Sequence, residues 1–551
     1  MRGRLTTDRV IDDTRRKDAL AGGENAGSGA PTMYITQVLH RNLQQFPDRA
    51  MTIFGERRHS VTQFVDRVAR LAGALRELGV REGDRVAMLA MNSDRYLEYL
   101  FAVPWADAVL NPCNTRWSEA ENAYALNDSG STILIVDDAF KDIACALRRQ
   151  APSITHVLYA GDGATPDGIL SYEAVLAAAA PVADARRGGE RLFGIFYTGG
   201  TTGFPKGVML SHTAFWSSQM ALMAEDVGVA GEVMLHAAPM FHLADMAFGF
   251  VATLLGGTHV MVPAFSPLAV LETIERHRVQ AAILVPTMIQ MLVQHQDVGK
   301  FDIACLRYLA YGGSPIQEQA VAEVQALLPG VRLLQAYGQT EMSPVVTILG
   351  PRHHDAAGAA AGLLRSCGRA SMAVEVMIID DAGDAVAAGA VGEIAARGPG
   401  MMSGYWNKPR ETAQALRGDG WLRTGDAGRM DADGFIFIVD RVKDMIVSGG
   451  ENVFSGEVEN ALARHPDVAM CAVIGIPDPR WGEGVHAVVV ARPGRSPTPE
   501  QLIAHCRTLI AGYKCPKTVE LRAALPMSGA GKVLKSTLRE PFWRDQARRV
   551  G

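Results

Sequence analysis

Residues 197–208 read Tyr-Thr-Gly-Gly-Thr-Thr-Gly-Phe-Pro-Lys-Gly-Val, a run of hydroxyls and glycines closed by a single lysine. Glycines let backbone N–H groups approach an anion, while Thr198, Thr201 and Thr202 add hydroxyl donors and Lys206 adds charge. The chemistry on offer is the holding of a polyphosphate. The spacing differs from Gly-x-x-x-x-Gly-Lys-Ser/Thr, since Phe204 and Pro205 stand between Gly203 and Lys206, and Gly207 follows the lysine. This is a phosphate loop of another kind. Leu192–Phe196 before it reads as a buried strand, and Val208–His212 leads into an apolar segment after it.

Two further groups could serve a nucleotide. In Gln335-Ala336-Tyr337-Gly338-Gln339-Thr340-Glu341 a tyrosine face can stack on a purine and a threonine hydroxyl can hold a phosphate oxygen. The carboxylate can bind Mg²⁺ with phosphates as co-ligands. In Trp421-Leu422-Arg423-Thr424-Gly425-Asp426 an aspartate after a glycine turn suits the two hydroxyls of a ribose. Each of these segments alone also reads as an ordinary turn.

The elements that must carry these groups are legible in outline. From about residue 34 to 440, apolar runs such as Arg85–Leu89, Ile133–Val136 and 282–285 alternate with helix-length segments such as 64–78 and 316–328. That alternation predicts βαβ units and mostly parallel sheets. From Phe435 the texture changes to short strands (435–439, 468–474, 485–490) and two helices (456–464, 498–511), a small α+β domain. The polar link Asp440–Asp444 is a candidate hinge. The fold class expected is therefore α/β, with residues 1–32 a disordered tail, 33–440 a larger domain and 441–551 a smaller one; the resemblance given below makes the larger the ATP- and acid-binding domain and the smaller a mobile lid.

Composition bounds the partners. With 551 residues, 48% hydrophobic and 21% charged, the chain has material for several cores. A net charge of −5 argues against nucleic acid, whose binders carry a basic face. Seven cysteines without a Cys-x-x-Cys pair fit neither a disulfide framework nor a zinc site, and point to a reducing cytoplasm. Residues 1–32 lack the apolar core of a secretory signal, and Met33 is an equally good start for the folded part. The charge-free stretch between Asp245 and Glu272 is broken by Gly256, Gly257 and Pro263, so it predicts a buried helix and strand, not a membrane span.

Tyr197–Val208, Gln335–Glu341, Trp421–Asp426, Asp440–Asn452 and Gly531-Lys532 occur in that order, and together they decide the reading. From residue 34 to about 542 the chain resembles the adenylate-forming superfamily of acyl-CoA synthetases, luciferases and peptide-synthetase adenylation domains. The resemblance implies that Thr198, Gly199, Gly200, Thr201, Thr202 and Lys206 hold the β- and γ-phosphates of ATP. It assigns Tyr337 to adenine, with Gln335 and Ala336 beside it, Thr340 to the α-phosphate and Glu341 to Mg²⁺. Asp426 and Arg441 match the pair that holds the ribose. Lys532 matches a mobile lysine that bridges the substrate carboxylate and the α-phosphate, and Lys535 is a solvated neighbour.

Such enzymes join a carboxylate to AMP with release of pyrophosphate, then pass the acyl group to a thiol. The resemblance makes Lys443 the hinge about which the small domain turns between the steps. Gly449 and Gly450 would line the tunnel for the pantetheine of CoA. His242, ending Ala238-Pro239-Met240-Phe241-His242, borders the acyl pocket and the thiol path, while Tyr311, Gly312, Gly313 and Ala336 leave space for a bulky acid. Met342, Val345 and Met246 make that pocket apolar. Amino-acid-activating relatives typically carry an aspartate near His242, and Asp245 keeps that reading open.

The expectation is an ATP-dependent carboxylic acid:CoA ligase acting on a medium- or long-chain fatty, cyclic or aromatic acid. Two alternatives stand beside it: a ligase that loads a carrier protein, and a non-catalytic nucleotide-binding relative. A homodimer is also expected.

Overall fold

The protein is described by a computed structural model covering residues 32–199, 205–225, 228, 231–314, 316, 318–441, 444–448, 451–527 and 533–544, without the side chains of 440, 441, 451 and 452. Two large sheets organise the N-terminal part. In the eight-stranded sheet, Arg85–Leu89, Val109–Pro112, Ile133–Val136 and His156–Tyr159 run parallel, and Val109–Pro112 is followed in space by β1 (Leu192–Thr198). Next to β1 lies β2 (Lys206–Ser211), antiparallel to it, leading into helix α1 (His212–Ala224). The phosphate loop thus joins two strands of a hairpin, with α1 beginning only after β2.

The nine-stranded sheet is built on β3 (Val233–His236), β4 (Thr258–Met261), β5 (Ala281–Leu284), β6 (Tyr308–Gly312) and β7 (Arg332–Tyr337), parallel in the spatial order β7-β6-β5-β3-β4. Helix α2 (Leu243–Leu254) joins β3 to β4, so the charge-free stretch is the expected helix followed by a strand. Successive side chains of β6 and β7 alternate between faces. Leu309, Tyr311 and Leu333 enter one core, whereas Ala310 and Leu334 enter another with Phe248 and Val251 of α2 and Leu222 of α1. Asp94–Trp105, buried along its whole length, lies at the centre of the largest core.

The parallel alternation ends at Tyr337, well before residue 440. Beyond it, Thr347–Leu349 turns back antiparallel on β7, and Glu375–Ile379, Val391–Arg397, β8 (Leu422–Met430) and β9 (Ile436–Arg441) form a four-stranded antiparallel sheet. For β8 and β9 the reason is chain length. Parallel neighbours need a crossover of a dozen or more residues, whereas links such as Asp431–Phe435 admit only a hairpin.

From Ile446 the strands belong to a separate sheet, with its own cores around Val473, Val485 and Leu502 and around Ile474, Val488 and Leu538. Val468–Asp478 and Gly482–Ala491 form its long hairpin, and Ser455–Ala463 and Pro499–Arg507 are the two expected helices. The smaller domain is α+β. Among the described residues no helix is long and apolar enough to cross a membrane.

Candidate active site

The hairpin pairs Thr198 with Lys206, the threonine hydroxyl lying 3.5 Å from the lysine carbonyl, so the two ends of the phosphate loop stand side by side. Gly199 follows Thr198, while Gly200, Thr201 and Thr202 lie outside the described residues. Against the far side of β2 lies the short strand Gly404–Tyr405, with Tyr405 opposite Val208. The Tyr405 ring centroid is 5.0 Å from Lys206 Nζ, and its hydroxyl donates to Glu341 Oε1 at 2.7 Å. A cation, an aromatic ring and a carboxylate from three distant segments therefore meet at the loop. Sequence reasoning missed Tyr405. Its sole signal was a Gly-Tyr-Trp triplet, where Trp406 anchors the strand by donating its backbone N–H to Gly207 O and its indole N–H to Asp128 O.

Glu341 sits in a single 3₁₀ turn, Thr340–Met342, directly after β7. The turn folds back so closely that a Cβ on Gly338 would fall 1.9 Å from Pro344 O, which explains glycine there. Met402 N–H donates to Glu341 O, tying the turn to the segment before Tyr405. Tyr337, at the end of β7, donates its hydroxyl to Asp426 Oδ2 at 2.7 Å. Burial, then the adjacent carboxylate of Asp426, pushes the phenol well above its ordinary value, so it remains a donor. Asp426 is itself buried, on a β8 residue that registers with Arg441 of β9. Gln335 is buried in β7, and Ala336 pairs with Gly312 of β6.

One residue expected at the acyl pocket lies on the face opposite Gly312. Tyr311 is fully buried on the opposite face from Gly312, and its hydroxyl donates to His354 Nε2 at 2.8 Å. Burial pushes His354 down to about 4, which leaves it neutral, and its Nδ1–H donates to Gly350 O. Met342 is fully buried in a core that also holds Met246 and Phe241, the neighbour of His242. The physical cause is strand alternation, which gives the pocket face to Gly312 and takes Tyr311 away from it. A Cβ on Gly312 would lie 2.3 Å from Ala336 O, so this position must stay bare. Gly313 follows with φ +80, a left-handed conformation that suits glycine.

Over that face runs an apolar slot of about 40 Å³, lined by Met234, Phe248, Val251, Leu255, Ala310 and Leu334. His242 caps the start of α2 and packs against Phe241, ring centroids 4.9 Å apart. Asp245 is fully buried, with Oδ2 bound to His236 Nδ1 at 2.6 Å and Oδ1 without a hydrogen-bond partner.

On the small domain, Lys443, Gly449, Gly450 and Lys532 lie outside the described residues, as does the side chain of Arg441. Lys535 is not solvated: its ammonium pairs with Glu459 at 2.8 Å and bonds the Ser455 hydroxyl. A feature the sequence reading passed over is exposed here. Trp481 is 40% exposed, with the Arg480 guanidinium 4.7 Å and the Lys517 ammonium 5.9 Å from its ring, and Tyr513 is 44% exposed.

The fold and these segments define a two-domain, adenylate-forming enzyme that activates an acid with a nucleotide. The chain belongs to the AMP-binding enzyme family, whose profile matches residues 39–406, with the AMP-binding enzyme C-terminal domain at 457–532. It is 41% identical over 460 residues to a feruloyl-CoA synthase of an Amycolatopsis species, covering 82% of this chain and 88% of that one. It is 39% identical over 449 residues to a medium/long-chain-fatty-acid–CoA ligase of Mycobacterium tuberculosis, covering 79% and 77%. Among solved structures, the amide bond synthetase of Marinactinospora thermotolerans superposes with a TM-score of 0.83 at 33% identity, over 92% of this chain and 99% of that one.

Proposed function

We propose that this chain is an AMP-forming acid:CoA ligase, which activates an apolar carboxylic acid with ATP and passes the acyl group to the thiol of CoA. The observation that carries this is the meeting of Lys206, Tyr405 and Glu341 beside the Tyr337–Asp426 pair, in a chain of this family. Relatives named as feruloyl-CoA synthase and fatty-acid–CoA ligase support an apolar acid and CoA as acceptor. So does the engagement of Asp245 by His236. All seven cysteines are free, which suits a cytoplasmic enzyme.

In this reading Thr198, Gly199, Gly200, Thr201, Thr202 and Lys206 cradle the β- and γ-phosphates, Thr340 takes an α-phosphate oxygen, and Asp426 with Arg441 takes the ribose. Glu341 is half-buried and reaches the loop as a single carboxylate. A magnesium ion fits there, because it binds through one or two carboxylates plus substrate phosphates, and it would offset phosphate charge during adenylation. The acid's carboxylate attacks the α-phosphorus, pyrophosphate leaves, and Lys532 neutralises the charge that gathers on the oxygens between them. His242 forms part of the wall beside the acyl group. Rotation about Lys443 then withdraws Lys532 and brings Gly449 and Gly450 to the pantetheine path, where the thiol takes the acyl carbon and AMP departs.

A panel of fatty, cyclic and aromatic acids, assayed for pyrophosphate release with and without CoA, tests this directly. Release should depend on an apolar acid, and thioester should form only with CoA. Release that no acid stimulates would leave a nucleotide-binding relative instead, and a stable adenylate that a carrier protein but not CoA discharges would make it a carrier-loading ligase.

The exposed Trp481, with Arg480 and Lys517 beside it, suits the adenine nucleotide of CoA. Stacking of a base on an aromatic ring is worth about 1–3 kcal/mol. Trp481→Ala should therefore raise the KM for CoA by about 5- to 100-fold, with acid-dependent pyrophosphate release unchanged. An unaltered KM for CoA would remove the ring from the acceptor site.

A further inference from the structure

The loop that carries His242 is closed by a buried string of side chains for which adenylation and thiolysis have no use. His236, the last residue of β3, and Asp245, in the first turn of α2, are both buried. Asp245 Oδ2 lies 2.6 Å from His236 Nδ1, and His236 Nε2 lies 2.9 Å from His259 Nδ1 on β4. His259 Nε2 lies 3.0 Å from Thr253 Oγ1, whose hydroxyl reaches Gly249 O at 3.0 Å. The two imidazoles stack at 5.2 Å. A Cβ on Gly249 would fall 2.6 Å from His236 Cε1, so α2 approaches the ring through its one bare residue there.

Counting hydrogens along the string sets the direction of its hydrogen bonds as far as His236. Gly249 O can only accept, so the single hydrogen of the Thr253 hydroxyl goes to it. His259 Nε2 must then donate to Thr253, which makes His259 Nδ1 an acceptor and His259 neutral; its burial favours the neutral form. His236 Nε2 therefore donates to His259. The count leaves one proton to be placed, between Asp245 Oδ2 and His236 Nδ1; on the imidazole it makes the pair ionic.

We propose that His236 and Asp245 form a buried ion-paired clasp that positions His242 at the acyl site. The clasp ties the two ends of the segment 237–244 together. Asn92 holds its middle, donating to Ala238 O at 2.8 Å and accepting from Met240 N–H at 2.8 Å, and His242 N–H donates to Pro239 O. The backbone of His242 is thus fixed from both ends and from the side. The clasp also cancels a carboxylate charge that, left bare, would repel the incoming acid. The functional part rests on the reading of His242 as a wall of the acyl site; the ion pair does not.

Two measurements test the clasp. In ¹⁵N-histidine-labelled enzyme, with the resonances assigned through His236→Gln, both ring nitrogens of His236 should appear protonated at neutral pH, and of His259 only Nε2. In a kinetic cycle, Asp245→Asn should lower kcat/KM for the acid about tenfold in the wild-type background and have no further effect in His242→Ala. A neutral His236, or an equal loss in both backgrounds, would overturn the proposal. The resonance measurement uses the wild-type fold and decides the ion pair even if Asp245→Asn does not fold. It also separates the two readings, because a chain inert towards every acid defeats the ligase assignment while the nitrogens of His236 still report on the clasp.

Discussion

Lys532→Ala is expected to reduce acid-dependent pyrophosphate release by about 10²–10³-fold or more, while thioester synthesis from a supplied acyl-adenylate stays close to wild type. The asymmetry follows from charge. Adenylation brings a carboxylate against a phosphate, two anions in a site shielded from water, and a cation between them is worth far more there than in bulk solvent. Thiolysis has no such pair, since the thiol meets an acyl carbon whose leaving group is already AMP. Lys535, three residues on, is the internal control. Its ammonium is engaged with Glu459 and Ser455 inside the small domain, so Lys535→Ala should lower Tm and leave the ratio of the half-reactions unchanged. Comparable loss of both half-reactions in Lys532→Ala would remove the lysine from adenylation, and a shifted ratio in Lys535→Ala would transfer the role to its neighbour.

What could be read in the chain before its fold was known depended on the range of the interaction. Apolar runs flanked by polar turns signal locally, and Arg85–Leu89 and Ile133–Val136 are strands at the residues expected. The helix expected over 64–78 is Val61–Glu77, started by the capping box of Ser60 and Gln63. The antiparallel sheet ending in β9 was not legible, because its strands look like those of a βαβ unit, and only some of their links, such as Asp431–Phe435, are too short for a crossover. The same holds for the site. Glycines and hydroxyls in sequence announce a phosphate loop, but Tyr405 acts by lying between Lys206 and Glu341, a position set by pairing of strands distant in sequence.

Side-chain direction was the other hidden quantity. Tyr311 and Gly312 are neighbours in sequence and lie on opposite faces of one strand, so a motif that names both says nothing of which faces the pocket. Asp245 illustrates the converse. An aspartate near His242 reads as a partner for an ammonium until His236, nine positions earlier, is seen to hold it. A carboxylate already paired and buried is costly to free, which weighs against Asp245 as a partner for an ammonium.

The second large effect is expected at Glu341. Glu341→Gln keeps the size of the side chain and its contact with the Tyr405 hydroxyl, but it removes the charge that would share a magnesium ion with the phosphates. Pyrophosphate release should fall about 10²–10³-fold, with the magnesium concentration needed for half-maximal rate rising in parallel. Tyr405→Phe tests the neighbour that sequence reasoning missed. The ring stays beside Lys206, and only the hydrogen bond to the carboxylate is lost, a charge-assisted bond worth about 1.5–3 kcal/mol. Its loss should be smaller, about 10- to 100-fold. Because the Tyr405 hydroxyl acts through Glu341, the double variant should be no slower than Glu341→Gln alone. Losses that multiply in the double variant would mean that Tyr405 meets the nucleotide by itself. A Glu341→Gln enzyme with the wild-type rate and magnesium dependence would take the carboxylate out of the phosphate site altogether.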